Sequence, residues 1–156
     1  YAGGDFDHSP ASNQQINAMR RISKSQIFWG GNYFGLPASP CWLVWDKDNG
    51  ASDFADCELA WTNMTRAVRK FKWRWNGMLQ QNMKDKEDRI HPTQKPVALY
   101  KWLLENYTSE GDLVLDTHLG SGSIAIACHY MKRRLIGYEI DQEFALQSLH
   151  QILSGG

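Results

Sequence analysis

The chain has 156 residues, 42% of them apolar and 22% charged, and its formal net charge is zero. That length suits one domain with a buried core, and the composition excludes a disordered chain. Zero net charge also argues against a protein that binds nucleic acid over its whole surface, so any affinity for DNA would have to come from a local patch.

The cysteines and the lengths of the apolar runs further restrict the class of protein. Cys41, Cys57 and Cys128 are odd in number and far apart, so they form neither a disulfide framework nor a zinc pattern. No apolar run reaches the roughly 18 residues that a membrane span needs. We therefore expect a cytoplasmic protein without a bound metal and without a membrane segment.

The N-terminal segment predicts a loop and then a helix. Residues 1–8 are rich in Gly and Asp and indicate a mobile loop. Ser9 and Pro10 suit the N-cap and the first residue of a helix, and apolar residues then recur at helical spacing from Ile16 to Ile22.

Three predicted strands follow. Gln26–Tyr33 ends in the pair Gly30–Gly31, a feature typical of a place where a ligand or another backbone segment approaches closely, and a structural turn explains the pair equally well. Cys41–Trp45 and Cys57–Trp61 are apolar enough for buried strands. A short helical turn is expected between them, at Asp53–Asp56.

The segment Arg66–Trp75 alternates cations with aromatic rings, as a strand with two different faces does. One face carries Phe71, Trp73 and Trp75. The other carries Lys70, Lys72 and Arg74, and the segment contains five cations and no acid. These cations predict either a strand that contacts DNA phosphates or an ordinary solvated face. The polar residues 77–89 then predict a long mobile loop.

The C-terminal part predicts alternating helices and strands. A helix is expected from Pro96 to Tyr107, and a last helix from Gln142 to Leu153. Between them, the apolar run Leu113–Leu115 and the strand Leu135–Tyr138 enclose a glycine turn and a helix from Ile124 to Met131. This strand–helix–strand unit predicts two parallel neighbouring strands.

The glycine turn of that unit indicates a nucleoside-cofactor site. Gly120 and Gly122 let the backbone approach a ligand at the N-terminus of a helix, and Glu139 follows the second strand, where a carboxylate can accept hydrogen bonds from a ribose. With Ala125, this turn also fits the pattern of dinucleotide sites. A tight turn without any ligand is the third interpretation. Asp116 favours S-adenosylmethionine (SAM), because it would repel a pyrophosphate but can bind the ammonium of a methionine moiety.

A composite of three motifs extends this interpretation. The stretch H-P-T-Q-K-P spans His91–Pro96, the loop D-T-H-L-G-S-G spans Asp116–Gly122, and E-I-D spans Glu139–Asp141. In this order they resemble the DNA amino-methyltransferases, which methylate adenine N6 or cytosine N4, in the subclass whose cofactor motif follows the catalytic motif. His118 departs from that pattern, because the family has Phe there.

The resemblance implies a fold, a cofactor and a substrate. The fold would be an α/β, Rossmann-like SAM-dependent methyltransferase fold of three layers, and incomplete here. Residues 1–156 would form one domain, with the DNA-recognition side in 1–90 and the cofactor half in 91–156. The implied cofactor-binding residues are Thr93, Lys95, Asp116, His118, Gly120, Ser121, Gly122 and Glu139. The implied DNA-binding residues are Arg66, Lys70, Lys72 and Arg74, and Asn32 and Tyr33 would line the base pocket.

The resemblance also implies what this chain lacks. The family's catalytic tetrad, [DNS]-P-P-[YFW], has only a half match at His8–Ala11, so no catalytic residue is predicted. We expect a bacterial or phage enzyme of restriction–modification type that acts on double-stranded DNA, with an N-terminal segment or a second copy completing the sheet. A catalytically inert cofactor- or DNA-binding module, a NAD-dependent oxidoreductase and an RNA methyltransferase are the alternatives.

Overall fold

A computed structural model describes residues 11–50, 52–76, 79–91 and 93–154 of the chain. The chain divides into two compact units, and the division falls at the Arg74–Trp75 bond. Among the described residues, no helix has the length and the apolar composition that crossing a membrane would require.

The first unit contains one helix and four strands. Their bounds are Asn13–Ile22 for α1, Ile27–Trp29 for β1, Trp42–Asp46 for β2, Cys57–Thr62 for β3 and Arg69–Lys72 for β4. Helix α1 starts three residues later than a helix capped by Ser9 would. Ser12 is its N-cap, and the Ser12 and Gln15 side chains bond each other's backbone N–H groups as a capping box. Ser9 and Pro10 lie outside the described residues.

The four strands form one mixed sheet in the order β1-β3-β2-β4. Strand β3 pairs antiparallel with β1 and with β2, whereas β2 pairs in parallel with β4. The inward face is fully buried at Leu43, Trp45 and Ala60. The apolar alternation of β2 therefore produces the core of this unit, as its pattern of buried and half-buried residues shows.

Three predicted elements of the first unit differ from the structure. The strand expected over Gln26–Tyr33 ends at Trp29, because Gly30 adopts a left-handed conformation and a 3-10 turn follows at Gly31–Tyr33. Asp53–Asp56 form no helical turn. The strand expected over Arg66–Trp75 is only the four-residue β4, and Trp75 belongs to a separate hairpin.

The second unit contains that hairpin, three helices and a parallel strand pair. The hairpin strands are Trp75–Asn76 (β5) and Leu79–Gln80 (β6), so part of the predicted long loop is ordered. The other elements are Val97–Tyr107 (α2), Leu113–Asp116 (β7), Ser123–Tyr130 (α3), Arg134–Gly137 (β8) and Gln142–Ser154 (α4).

The strand–helix–strand unit predicted from the sequence is confirmed. Strands β7 and β8 are parallel and in register from Leu113 opposite Arg134 to Asp116 opposite Gly137. One face of this pair packs through Val114 and Leu135 on a core formed by α2 and α3. The C-terminal ends of β7 and β8 are therefore adjacent, and the glycine turn begins directly after β7.

Two buried glutamines organise the segment between β6 and α2, whose first part, up to Arg89, was predicted to be mobile. The Gln80 amide bonds both the N–H and the C=O of Glu87. The Gln94 amide accepts from the N–H of Ile90 and donates to the C=O of Asp88. Glu87 in turn accepts from the N–H of Val97 at the first turn of α2, and burial raises the pKa of its carboxyl.

Candidate functional site

The glycine turn between β7 and α3 is the centre of the candidate site. Gly120 and Gly122 have φ values of +54° and +75°, a conformation that residues with a Cβ rarely adopt. The N–H of Leu119 donates to the C=O of Tyr138 at 2.9 Å, which fastens the turn to the end of β8. Because Gly122 directly precedes Ser123, the turn ends at the N-terminus of α3.

Glu139 reaches the glycine turn from the end of the neighbouring strand. One carboxylate oxygen accepts from the N–H of Gly120 at 2.7 Å, and the other accepts from the N–H of Asp141 at 3.0 Å. A carboxylate has about four acceptor positions, so both oxygens keep capacity for another donor. The contact joins two motifs that are 19 residues apart in the sequence.

Asp116 lies at the end of β7, near Glu139. Burial raises the pKa of its carboxyl, and the nearby Glu139 charge acts in the same direction. The N–H of His118, which donates at 2.9 Å, and the Lys95 ammonium partly oppose this shift. A buried carboxylate whose negative charge is only partly compensated by neighbouring groups is a candidate partner for the cation of a ligand.

In the H-P-T-Q-K-P stretch, the first and third residues contact each other, and the first also packs on the glycine turn. His91 Nδ1 accepts from the N–H of Thr93 at 3.2 Å and lies 3.1 Å from the Thr93 hydroxyl. The His91 ring packs on the glycine turn, because a Cβ built on Gly120 would lie 3.7 Å from two of its ring carbons. Both polar groups of Thr93 thus already have a protein partner.

The structure brings most of the predicted cofactor residues together. Hydrogen bonds or electrostatic interactions link Asp116 to His118, Lys95 and Glu139, and link Glu139 to Gly120. Ser121 is the exception, since its side chain is buried and its hydroxyl lies 2.9 Å from that of Ser123. That hydroxyl faces the start of α3.

Two residues at this site were not predicted from the sequence. Phe144 of α4 contacts His91, with ring centroids 4.3 Å apart. Ser148 of α4 is fully buried, and its hydroxyl donates to the C=O of Gly120. The helical spacing of Phe144 indicated only that it belongs to the core. No sequence feature near Ser148 indicates that it contacts the glycine turn.

The predicted DNA-binding cations lie before, on and after the edge strand β4. Lys70 pairs with Asp46 at 3.2 Å, while Lys72 and Arg74 pair with Asp48 at 2.8 and 2.7 Å. Hydrogen bonds from the backbone N–H of Asp48 and from Lys70 lower the pKa of the Asp46 carboxyl, and hydrogen bonds from Lys72 and Arg74 lower that of Asp48. Arg66 is exposed ahead of the strand. Of the predicted aromatic face, Phe71 stacks on Trp73, whereas Trp75 lies in the hairpin of β5 and β6 and not on this strand.

The proposed base-pocket residues lie on the 3-10 turn of the first unit. Asn32 and Tyr33 are both exposed. The neighbouring Gly31 has a packing role, because a Cβ there would lie 2.5 Å from the Cβ of Trp61 and 2.9 Å from its backbone nitrogen. Close packing on β3 therefore explains this glycine without a ligand.

Comparison with known proteins places the chain in a family. Residues 12–149, most of the chain, match the family model of the N6/N4 type described as DNA methylase. The chain belongs to this DNA methylase family. The residues matched include the glycine turn, Glu139 and β4.

Individual relatives agree with the family assignment. The chain is 42% identical over 60 residues to the type II methyltransferase M.HpaI of Haemophilus parainfluenzae, covering 38% of this chain and 19% of that protein. It is 36% identical over 70 residues to the type II methyltransferase M2.DpnII of Streptococcus pneumoniae, covering 45% and 26%. The chain thus spans about a quarter or less of the length of these relatives.

A solved structure supports the fold. The crystal structure of the M1.HpyAVI–SAM complex matches with a TM-score of 0.51 and 27% identity, over 70% of this chain and 60% of that one. The α/β methyltransferase fold predicted from the sequence is confirmed, as is the resemblance to the DNA amino-methyltransferases.

Proposed function

We propose that this chain is the cofactor-binding and DNA-recognition part of a SAM-dependent methyltransferase that acts on an exocyclic amino nitrogen of double-stranded DNA. The observation that carries the proposal is the contact between Glu139 and the N–H of Gly120. It brings a carboxylate to the mouth of a glycine turn, at the ends of two parallel strands, where open α/β sheets bind nucleosides.

The residues in and around the turn fit the donor in four ways. Glu139 has free acceptor capacity for the ribose hydroxyls, and Gly120 and Gly122 leave room for the backbone to approach the adenosine. Asp116 would accept the ammonium of the methionine moiety, whose charge would offset the desolvation that raises its pKa. Lys95, with Thr93 beside it, would hold the carboxylate. When bound, SAM supplies an electrophilic methyl group on a sulfonium.

We propose that the cationic edge of the first unit faces DNA. The side chains of Lys70, Lys72 and Arg74 remain 62%, 59% and 48% exposed although they pair with Asp46 and Asp48. Exposed ion pairs contribute little to stability because water screens their charges, so phosphates can replace the carboxylates at small cost. Arg66 extends the cationic surface.

The choice of base acceptor rests only on general likeness to the family, whose type covers both N6 and N4 acceptors. We propose adenine N6 before cytosine N4, in a bacterial or phage restriction–modification setting in the cytoplasm, with Asn32 and Tyr33 near the flipped base. His8, Ser9 and Pro10 of the half-matched tetrad lie outside the described residues, and we assign no catalytic residue. A second copy or an N-terminal segment that completes the sheet stays a prediction, and light scattering tests for the second copy.

Calorimetric titration tests the cofactor. We expect S-adenosylhomocysteine to bind the purified chain and NADH not to bind. Binding of NADH without S-adenosylhomocysteine would instead support an oxidoreductase, and binding of neither would remove the cofactor site.

Transfer of a labelled methyl group tests the reaction. The chain, alone and joined to an N-terminal segment that carries a catalytic tetrad, is incubated with labelled SAM and plasmid DNA, and the product nucleosides are separated. N6-methyladenine is the expected product. N4-methylcytosine would correct the base, and label on competing RNA but not on DNA would make the protein an RNA methyltransferase. Donor binding without transfer to either would indicate an inert module.

A further inference from the structure

Gly120 is held at three points by three different parts of the second unit. Its N–H donates to Glu139 after β8, its C=O accepts from Ser148 of α4, and His91 covers its Cα from the turn before α2. Glu139 is part of the proposed donor site, whereas Ser148 and His91 have no assigned role. The inference below rests on the proposed function and concerns these two residues.

Ser148 holds the turn from the side of the core. It is fully buried, and its hydroxyl, which donates to the C=O of Gly120, is the polar group that α4 directs at the turn. Its Cβ would be 3.1 Å from a Cβ placed on Gly122, so the backbone of the turn lies directly against it. The hydrogen bond is partly buried, so without its donor the Gly120 carbonyl would be left partly shielded from water, which favours a rearranged backbone.

His91 holds the same glycine from another direction. Its ring packs against Gly120 on one side and against Phe144 of α4, with ring centroids 4.3 Å apart. Its Nδ1 accepts from the backbone N–H of Thr93, which leaves the proton of the neutral ring on Nε2. His91 thereby links the H-P-T-Q-K-P stretch to the glycine turn and to α4.

These contacts converge on Gly120, whose N–H donates to Glu139, the proposed acceptor of hydrogen bonds from the ribose. A glycine with φ of +54° has more conformational freedom than any other residue, so a turn built on it has to be ordered from outside. Ordering it in advance removes an entropic cost from ligand binding. We propose that His91 and Ser148 are positioning residues, which hold the turn 117–122 in its donor-binding shape before the donor arrives.

Hydrogen exchange of the ligand-free chain tests the positioning without any donor. In Ser148→Ala, the amides of the peptide that covers 117–123 should exchange about threefold to tenfold faster, the change that follows from loss of one hydrogen bond. The matched control is Thr108→Val, because the Thr108 hydroxyl also donates to a backbone carbonyl, that of Leu104 at the end of α2. Unchanged exchange at 117–123 in Ser148→Ala would overturn the assignment of Ser148.

Calorimetry with S-adenosylhomocysteine tests whether the positioning serves the ligand. We expect Ser148→Ala to weaken binding about threefold to tenfold, and Thr108→Val to lower the melting temperature without changing the affinity. Equal affinities of the wild type and Ser148→Ala would contradict the proposal while leaving the proposed function intact. If the wild type did not bind, the proposed function would fail, and the exchange experiment would still decide whether the turn is held.

Two replacements of His91 separate its ring from its nitrogen. His91→Ala loses the ring that packs on Gly120 and Phe144, whereas His91→Phe keeps an aromatic ring and loses both ring nitrogens, including the Nδ1 that accepts from Thr93. We expect His91→Ala to weaken binding and to speed exchange at 117–123 by about tenfold, and His91→Phe to recover most of both. A His91→Phe variant as impaired as His91→Ala would overturn positioning through the ring, and so would an unimpaired His91→Ala.

Discussion

The glycine turns at Gly31 and Gly120 each follow a strand, and they use the missing side chain differently. At Gly31, a Cβ would collide with the side chain and the backbone of Trp61, so the glycine allows the turn to pack on β3. At Gly120, a Cβ would meet only ordinary contacts at 3.7 Å or more. There the glycine supplies a positive φ and an N–H that faces Glu139.

The difference teaches how to interpret a glycine at a strand end. The sequence signal is the same in both places, and what faces the absent side chain decides the role. Where backbone and a large side chain face it, the glycine serves packing. Where a carboxylate from a neighbouring strand faces its N–H, the glycine belongs to a binding site.

Replacing Gly31 gives the largest expected effect and tests the packing half of this comparison. Gly31→Ala should lower the free energy of unfolding by about 3 kcal/mol, because the neighbours at 2.5 and 2.9 Å cannot both move away without shifting β3. Thermal and urea denaturation measure it, with Gly35→Ala as the control, since a Cβ at Gly35 meets only one side-chain atom at 3.8 Å. Equal stability of the two variants would contradict the packing role.

Replacing Glu139 tests the binding half. Glu139→Ala should weaken S-adenosylhomocysteine binding about 30-fold, since hydrogen bonds to a charged group contribute about 1.5–3 kcal/mol and the variant loses its contacts to both Gly120 and the ribose. Calorimetry measures the loss. Glu105→Ala is the control, because Glu105 is exposed on α2. If both variants bound alike, Gly120 would be a turn without a ligand.

The cationic edge extends the comparison from backbone to charge. If Lys70 and Lys72 contact phosphates, Lys70→Ala with Lys72→Ala should reduce the slope of log affinity for DNA against log salt by about 2. Removing their partners, in Asp46→Asn with Asp48→Asn, should strengthen DNA binding at low salt. Fluorescence anisotropy with a DNA duplex measures both, and Lys132→Ala, an exposed and paired lysine of the second unit, is the control.

An unaltered slope in the double lysine variant would refute the DNA contact. The ion pairs would then serve only to protect an edge strand, as charged side chains do at other sheet edges.

The pH dependence of ligand binding has the smallest expected effect. An ionised Asp116 binds the ligand ammonium, so affinity for S-adenosylhomocysteine should fall as pH drops through the pKa of this carboxyl. Because burial raises that pKa, the loss should begin at a higher pH than an exposed aspartate, with a pKa of about 3.9, would show. Calorimetry across pH measures it. Asp116→Asn should give a flat profile, and a flat profile in the wild type would remove the assigned role.

The fold of the second unit followed largely from local pattern. The run Leu113–Leu115, the turn, the helix and the second strand are contiguous, so periodicity and glycine spacing were enough to predict β7, α3 and β8. Glu139 could be assigned to the turn for the same reason, because parallel neighbouring strands end at the same edge of a sheet. The acidic and glycine residues of the candidate site were predictable on this basis.

Pairings between distant segments were not predictable in that way. Arg66–Trp75 contains no acid. Its charge partners are Asp46, the last residue of β2, and Asp48, two residues later. They reach the cations because β2 pairs with β4, and the sequence pattern of neither segment indicates the register of that pairing. Ser148 reaches Gly120 across 28 residues, and Gln80 organises the segment up to Glu87 through a side-chain amide. Composition and periodicity therefore determined β7, α3, β8 and the place of the glycine turn between them. Only the tertiary structure decided which charges are paired and which side chains hold the turn, because such contacts depend on how strands and helices are placed beside each other, and not on the order of residues within any one of them.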